Sequence, residues 1–163
     1  MIFRSGAAAT APASPPDGVT PGDIVEISPD GERLATVLAA RLAAQGGAAL
    51  IVDYGPLARG AGDTLQAVRA HRKVDPLADP GEADLTAQVD FAGIADRARD
   101  AGCVVSGPIP QGRFLQRLGA AARAATLMRA TPGDQAKRIA TEIGRLIDDD
   151  QMGALFKADR KST

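Results

Sequence analysis

The stretch AALIVDYG, residues 48–55, constrains the fold more than any other part of the chain. It is a nearly continuous apolar run between Gly46–Gly47 and Gly55, which is how a strand covered on both faces reads. The residues before it read as a helix. Ser28 suits the N-cap, Pro29 the first helical position, and Leu34, Val37, Leu38 and Leu42 recur along one face. Upstream again, DIVEI (23–27) has the β preference of a short strand. Strand, helix and strand over about 30 residues make the βαβ unit of a mainly parallel sheet, so the chain is predicted to be α/β.

Between Gly55 and Asp84 only TLQAVRAHR looks helical, with Asp63 as its cap, and so long a connection reads as a binding loop or lid. The segment ADLTAQVDF (83–91) alternates polar and apolar side chains. Asp90 is placed to cap a helix starting at Phe91, and Val89 with Ile94 occupies the two positions of a hydrophobic staple. That helix, FAGIADRARDAG, turns Phe91, Ile94, Ala95 and Ala98 inward. CVVSG offers a further strand, and GRFLQRLG, AAARAATLMRA and TPGDQAKRIATEIGRLI offer three helices. In the last, Thr131 is the expected cap and Pro132 the first helical residue.

Composition excludes several classes. Nineteen Lys and Arg against 20 Asp and Glu give a net charge of -1, so no global field draws nucleic acid, and an aromatic content of 3% supplies no stacking platform. One cysteine rules out an internal disulfide framework, and Cys103, in AGCVV, reads as a buried structural thiol. No apolar run approaches the ~18 residues of a membrane span. Residues 1–22, rich in Ala and Pro, read as a flexible segment with a weak organelle-targeting character. GPLARGAG follows a strand, yet Ala61 and Gly62 stand where a phosphate-binding loop needs Lys and Ser or Thr. His71, the one histidine, reads as a partly exposed structural residue, and one histidine is little material for a catalytic triad or a metal centre, so no metal is expected.

Asp53 and Tyr54 differ in kind, because they end the apolar strand at the carboxyl edge of the sheet, where open α/β folds bind ligands. Asp84, Thr86 and Gln88 also stay open as candidates, since no helix cap explains them.

Taken together, GGAALIVDYG (46–55), GDTLQAVRAHRKVDPLADPGEADLTAQVDF (62–91) and PIPQGRFLQRLG (108–119) resemble the MidA family of S-adenosyl-L-methionine-dependent methyltransferases. IVEISP (24–29) and, more loosely, MGALFK (152–157) extend the likeness. The resemblance implies the C-terminal half of a class I, Rossmann-like methyltransferase fold over residues 23–157, with 158–163 a disordered tail. It implies S-adenosyl-L-methionine as cofactor, bound through a glycine motif of an N-terminal half that has no counterpart here. It further implies methylation of protein arginine, a subunit of respiratory complex I as partner, and a bacterial cytoplasmic or, alternatively, mitochondrial matrix location. An arginine substrate needs carboxylates around its permanent charge, which makes Asp53 and Asp84 the first candidates, with Tyr54 beside them. Gly55, Thr86, Gln88, Asp90 and Gln111 are the accompanying substrate-binding candidates, and 55–84 the lid. A non-catalytic partner-binding module and an inactive gene fragment are the alternatives.

Overall fold

The computed structural model describes residues 18–131 and 133–162. The flexible segment expected at the N-terminus lies outside these up to residue 17, as do Pro132 and Thr163. In chain order the elements are α1 (Pro29–Gln45), β1 (Ala48–Tyr54), β2 (Gln66–Arg69), β3 (Arg72–Val74), β4 (Asp84–Thr86) and α2 (Phe91–Asp100). They continue as β5 (Val104–Pro110), α3 (Gln111–Arg117), α4 (Ala120–Ala130), α5 (Asp134–Ile147), α6 (Met152–Leu155) and β6 (Phe156–Ser162).

Helices α1 and α2 begin as their local chemistry dictates. The Ser28 hydroxyl accepts from the Gly31 amide at 3.3 Å with Pro29 as the first helical residue, and Asp90 Oδ1 accepts from the Gly93 amide at 2.9 Å. Both helices lie on one side of a three-stranded sheet of order β1-β6-β5. Ala39 and Leu42 of α1 meet Ala98 of α2 and Cys103, whose thiol sits 3.5 Å from the Ala39 carbonyl oxygen, so the cysteine is structural. From α2, Phe91, Ala95 and Ala98 are buried as their spacing predicts.

The α/β class holds, but the strand directions differ from a run of parallel neighbours. β6 pairs antiparallel with both β1 and β5, so those two point the same way without touching. Residues 158–162, expected to lie in a disordered tail, therefore belong to the middle strand. Its sequence, FKADRKS, carries four charges and no apolar alternation, which is why periodicity passes over it. On the face below α1 and α2 it buries Lys157, Asp159 and Lys161, and the Lys161 ammonium pairs with the Asp159 carboxylate. β1 is also not covered on both faces. It is the edge strand, with Leu50 and Val52 exposed on the side away from α1.

Two further expectations change. DIVEI forms no strand among the described residues; the Ile24 carbonyl takes one bond from Gly62 N at 2.8 Å, and Glu26 turns to Thr64. TLQAVRAHR is no helix. It is the hairpin of β2 and β3, whose turn holds Ala70 and His71 at φ 49° and 62°, and β4 pairs on the other side of β2. Its strong helix formers yield to burial of Ala67 between two partner strands. The predicted lid is thus a small sheet of order β3-β2-β4, not a bare loop. In α5 the cap is Gly133, and Thr131 instead closes α4.

Candidate functional site

The carboxyl ends of β1 and β5 lie at one edge, because Asp53 and Pro110 flank the same residue of β6, Lys157. Asp53 is half-buried and its Oδ1 accepts from the Tyr54 amide at 2.8 Å. The Tyr54 ring stands edge-on to Phe156 with centroids 5.7 Å apart, a contact that orients the phenol by packing. Lys157 is buried beside them. It donates to the carbonyls of Ala154 and Leu155, and desolvation holds its ammonium below the usual lysine range.

The segment after β4 crosses this edge directly. The Val89 amide donates to the Tyr54 carbonyl at 3.0 Å, and a Cβ on Gly55 would run into the Val89 carbonyl oxygen and lie 3.3 Å from the Phe91 ring. Glycine at 55 is therefore a requirement of close approach. The crossing brings Gln88 and Asp90 to the end of β1, each half-buried. Asp90 is fully engaged, since Oδ1 caps α2 while Oδ2 takes the Arg59 guanidinium at 2.8 Å; that hydrogen bond raises the arginine's pKa further. The Gln88 amide donates to the Thr64 hydroxyl at 2.9 Å, and that hydroxyl donates to the Glu26 carboxylate, whose other oxygen accepts from the Thr64 amide at 2.9 Å.

Sequence reasoning did not single out Glu26, Arg59 or Thr64 for this junction. Glu26 alone had a signal, as the one charge inside the strand-like run IVEI. Thr86 is half-buried opposite Gln66 in the small sheet. Asp84 is exposed at the start of β4, five residues before Val89 and so up to about 16 Å along extended chain from the crossing. Gln111 is buried beyond the end of β5, and its side-chain amide donates to the Leu146 carbonyl at 3.1 Å, tying α3 to α5. Tyr54, Gly55, Gln88 and Asp90 are thus gathered with Asp53, while Asp84 stands apart and Gln111 serves another contact.

An open cavity of about 700 Å³ lies elsewhere, between α4 and α5, where Ala124, Leu127, Ile139 and Ile143 line it together with charged side chains such as Arg123, Asp134 and Glu142. Among the described residues no cluster of His, Cys, Asp or Glu is placed to hold a metal, and no helix is long and apolar enough to cross a membrane.

Residues 4–109 match the family described as "Putative S-adenosyl-L-methionine-dependent methyltransferase". The chain belongs to this family. Relatives include the mitochondrial protein arginine methyltransferase NDUFAF7 homolog of Drosophila melanogaster, 40% identical over 134 residues, which are 82% of this chain and 30% of the relative. The mitochondrial protein arginine methyltransferase NDUFAF7 of Xenopus laevis is 37% identical over 84% of this chain and 31% of its own. Two solved structures from Burkholderia thailandensis are similar. A native one superposes with a TM-score of 0.67 at 31% identity, over 78% of this chain and 36% of that one. Another, bound to S-adenosyl-homocysteine, has a TM-score of 0.63 at 28% identity, over 78% and 35%. The MidA-like likeness and the partial methyltransferase fold read from the sequence are thereby shown, and the chain spans about a third of the length of the relatives it matches.

The family depends on S-adenosyl-L-methionine. The Gly62 amide, in the glycine-bearing loop after β1, is already bonded to Ile24, and the one buried side-chain atom without a partner among the described residues, Asp159 Oδ1, lies within the sheet. The Gly62 amide is therefore not free to hold an adenosyl group.

Proposed function

We propose that this chain forms the methyl-acceptor side of a protein-arginine methyltransferase that uses S-adenosyl-L-methionine, the donor being held by parts of the fold outside it. The carrying observation is the junction at the end of β1. There, a half-buried carboxylate, Asp53, and a packed phenol, Tyr54, are fixed by the Val89 crossing within a chain of the methyltransferase family. The Drosophila and Xenopus relatives, named as protein arginine methyltransferases, support this reading.

A guanidinium keeps its charge at all working pH values, so it must be held by carboxylates and presented in one orientation. Asp53 supplies a carboxylate at the edge, and Tyr54 a hydroxyl that can orient the neighbouring N–H groups. Asp84, exposed on the small sheet, acts as a second carboxylate if that sheet moves toward the edge as a lid. Thr86 and Gln88 offer neutral hydrogen-bonding groups along the same segment, and Gln111 positions α3. The contribution to rate is orientation and exclusion of water. The proposed partner is a protein with an exposed arginine, and specifically a subunit of respiratory complex I. The mitochondrial relatives favour a matrix location over the bacterial cytoplasm.

The test is methyl transfer from labelled S-adenosyl-L-methionine to an arginine protein substrate, with this chain joined to the remainder of the Burkholderia thailandensis relative. Asp53→Asn and Asp84→Asn should each lower transfer by at least about tenfold, in line with loss of a charge-assisted contact, and Asp84→Asn should leave the melting temperature nearly unchanged. Unchanged turnover in both variants rejects the assignment.

A further inference from the structure

We propose that the tip of the β2–β3 hairpin is a docking site for an acidic segment of a protein partner, whose carboxylate is gripped by the guanidinium groups of Arg69 and Arg72. These two residues close the turn directly opposite each other, so their side chains leave the same face of the small sheet. Like charges so placed destabilise a strand pair. One carboxylate offsets them: Asp79 Oδ2 accepts from the Arg69 guanidinium at 3.0 Å. Arg72 is exposed and has no ion-pair partner among the described residues.

The backbone is unfavourable at the same place. Among the described residues, three that are not glycine take a positive φ, and all three belong to this contact. Ala70 at 49° and His71 at 62° form the turn, and Asp79 at 43° is the residue that reaches Arg69. Asn-Gly or Gly-Gly would make such a turn with less strain. Hairpin stability therefore accounts neither for the opposed arginines nor for the strained turn. Strain of this kind clusters at ligand clamps. Here the chemistry of the clamp is visible, because Asp79 already fills one half of it.

The occupant is set by charge and by neighbours. A planar guanidinium fork matches a carboxylate through two parallel hydrogen bonds. The side chains of Arg69 and Asp79 are 49% and 64% exposed, so a second carboxylate reaches the pair from solvent and can replace the first. Leu85 lies on the same face, opposite Ala67 and two residues along from Arg69, and is half exposed, which favours a segment with an apolar side chain near its acid. Nucleic acid is disfavoured, since the net charge is -1 and an aromatic content of 3% offers bases nothing to stack on. Asp84, opposite Val68, leaves the other face of the small sheet, so this site is separate from the carboxylate assigned to an arginine substrate and does not depend on methyl transfer.

The experiment titrates the purified chain into a fluorescent Glu-rich peptide carrying a Leu, with the same peptide bearing Gln for Glu and a single-stranded oligonucleotide as comparisons, and reads binding by anisotropy. The acidic peptide should bind, and salt should weaken it. Arg72→Gln should weaken binding at least about threefold, and Arg69→Gln with Arg72→Gln at least about tenfold. Arg72→Lys, which keeps the charge but not the fork, should fall between the parent and Arg72→Gln. Asp79→Asn should tighten binding about threefold by releasing Arg69, and Asn tolerates the positive φ at that position. Arg41→Gln, which makes the same change of net charge on exposed α1, should leave binding unchanged. Arg72→Gln also removes the like-charge opposition, so binding falls while the melting temperature holds or rises, a combination that misfolding does not produce. If Arg72→Gln does not fold, the gain in Asp79→Asn still decides. Absence of binding, equal binding of the Gln peptide, tighter binding of the oligonucleotide, or affinities that neither Arg72→Gln nor Asp79→Asn alters overturn the proposal.

Discussion

Asp159 and Lys161 are ion-paired in the middle of the sheet, 0% and 2% exposed, two residues apart on the same face of β6. Two charges withdrawn from water into a strand between two apolar neighbours cost desolvation that their attraction only partly offsets. Asp159→Ala should therefore destabilise the chain by about 3–5 kcal/mol, because it strands the buried ammonium. The double change Asp159→Leu with Lys161→Met should be neutral or stabilising by up to about 4 kcal/mol. Urea midpoints of the three proteins decide it, and a double variant as weak as the single one contradicts the argument.

At Gly55 the expected loss is steric. Gly55→Ala puts a methyl group against the Val89 carbonyl and should cost about 1–3 kcal/mol, as overpacking does. Hydrogen exchange at the Val89 amide should accelerate more than at α4, since the Tyr54 bond is lost first.

Asp90 has two duties that substitution can separate. Asp90→Asn keeps an acceptor for the Gly93 amide and should cost well under about 1 kcal/mol, because the Arg59 pair is a third exposed. Asp90→Ala removes the cap as well and should cost about 1–2 kcal/mol by thermal melting.

Lys157 makes stability depend on alkaline pH. Its folded pKa is depressed below the ordinary value of 10.5 by burial, so between the two values the unfolded chain binds more protons. Stability should thus rise as pH climbs through the folded pKa toward 10.5, with the full gain above it and none below the folded value. Lys157→Met should flatten that rise relative to the parent in denaturant titrations; an identical slope contradicts the burial argument.

The β2–β3 turn places two non-glycine residues in the left-handed region, a conformation that costs roughly 1–2 kcal/mol per residue. His71→Gly should stabilise the hairpin by about 1 kcal/mol, seen as slower amide exchange at Val68 and Lys73.

Much of the architecture is readable where the signal is local. Ser28, Pro29 and Asp90 announce two helices within the first turn, and the AALIVDY run announces β1. The misses are all positions where partners distant in sequence decide. TLQAVRAHR has helix-forming residues but becomes a hairpin because Ala67 is buried between β3 and β4. FKADRKS has a loop's composition but fills the gap between β1 and β5. Of the candidate site, Asp53, Tyr54 and Gly55 were legible from their place at a strand end, and Asp90 as a cap. The Glu26–Thr64–Gln88 linkage spans 62 positions of sequence between its ends, and no periodicity encodes a contact of that range.

Cys103 lies beneath α1 with its sulfur against the Ala39 carbonyl, and it is the only thiol in the sequence. The molecule thereby carries its own stopwatch. A thiol reagent reaches that buried sulfur when its packing against α1 and α2 opens, so the rate of labelling counts those openings with no residue of the chain changed.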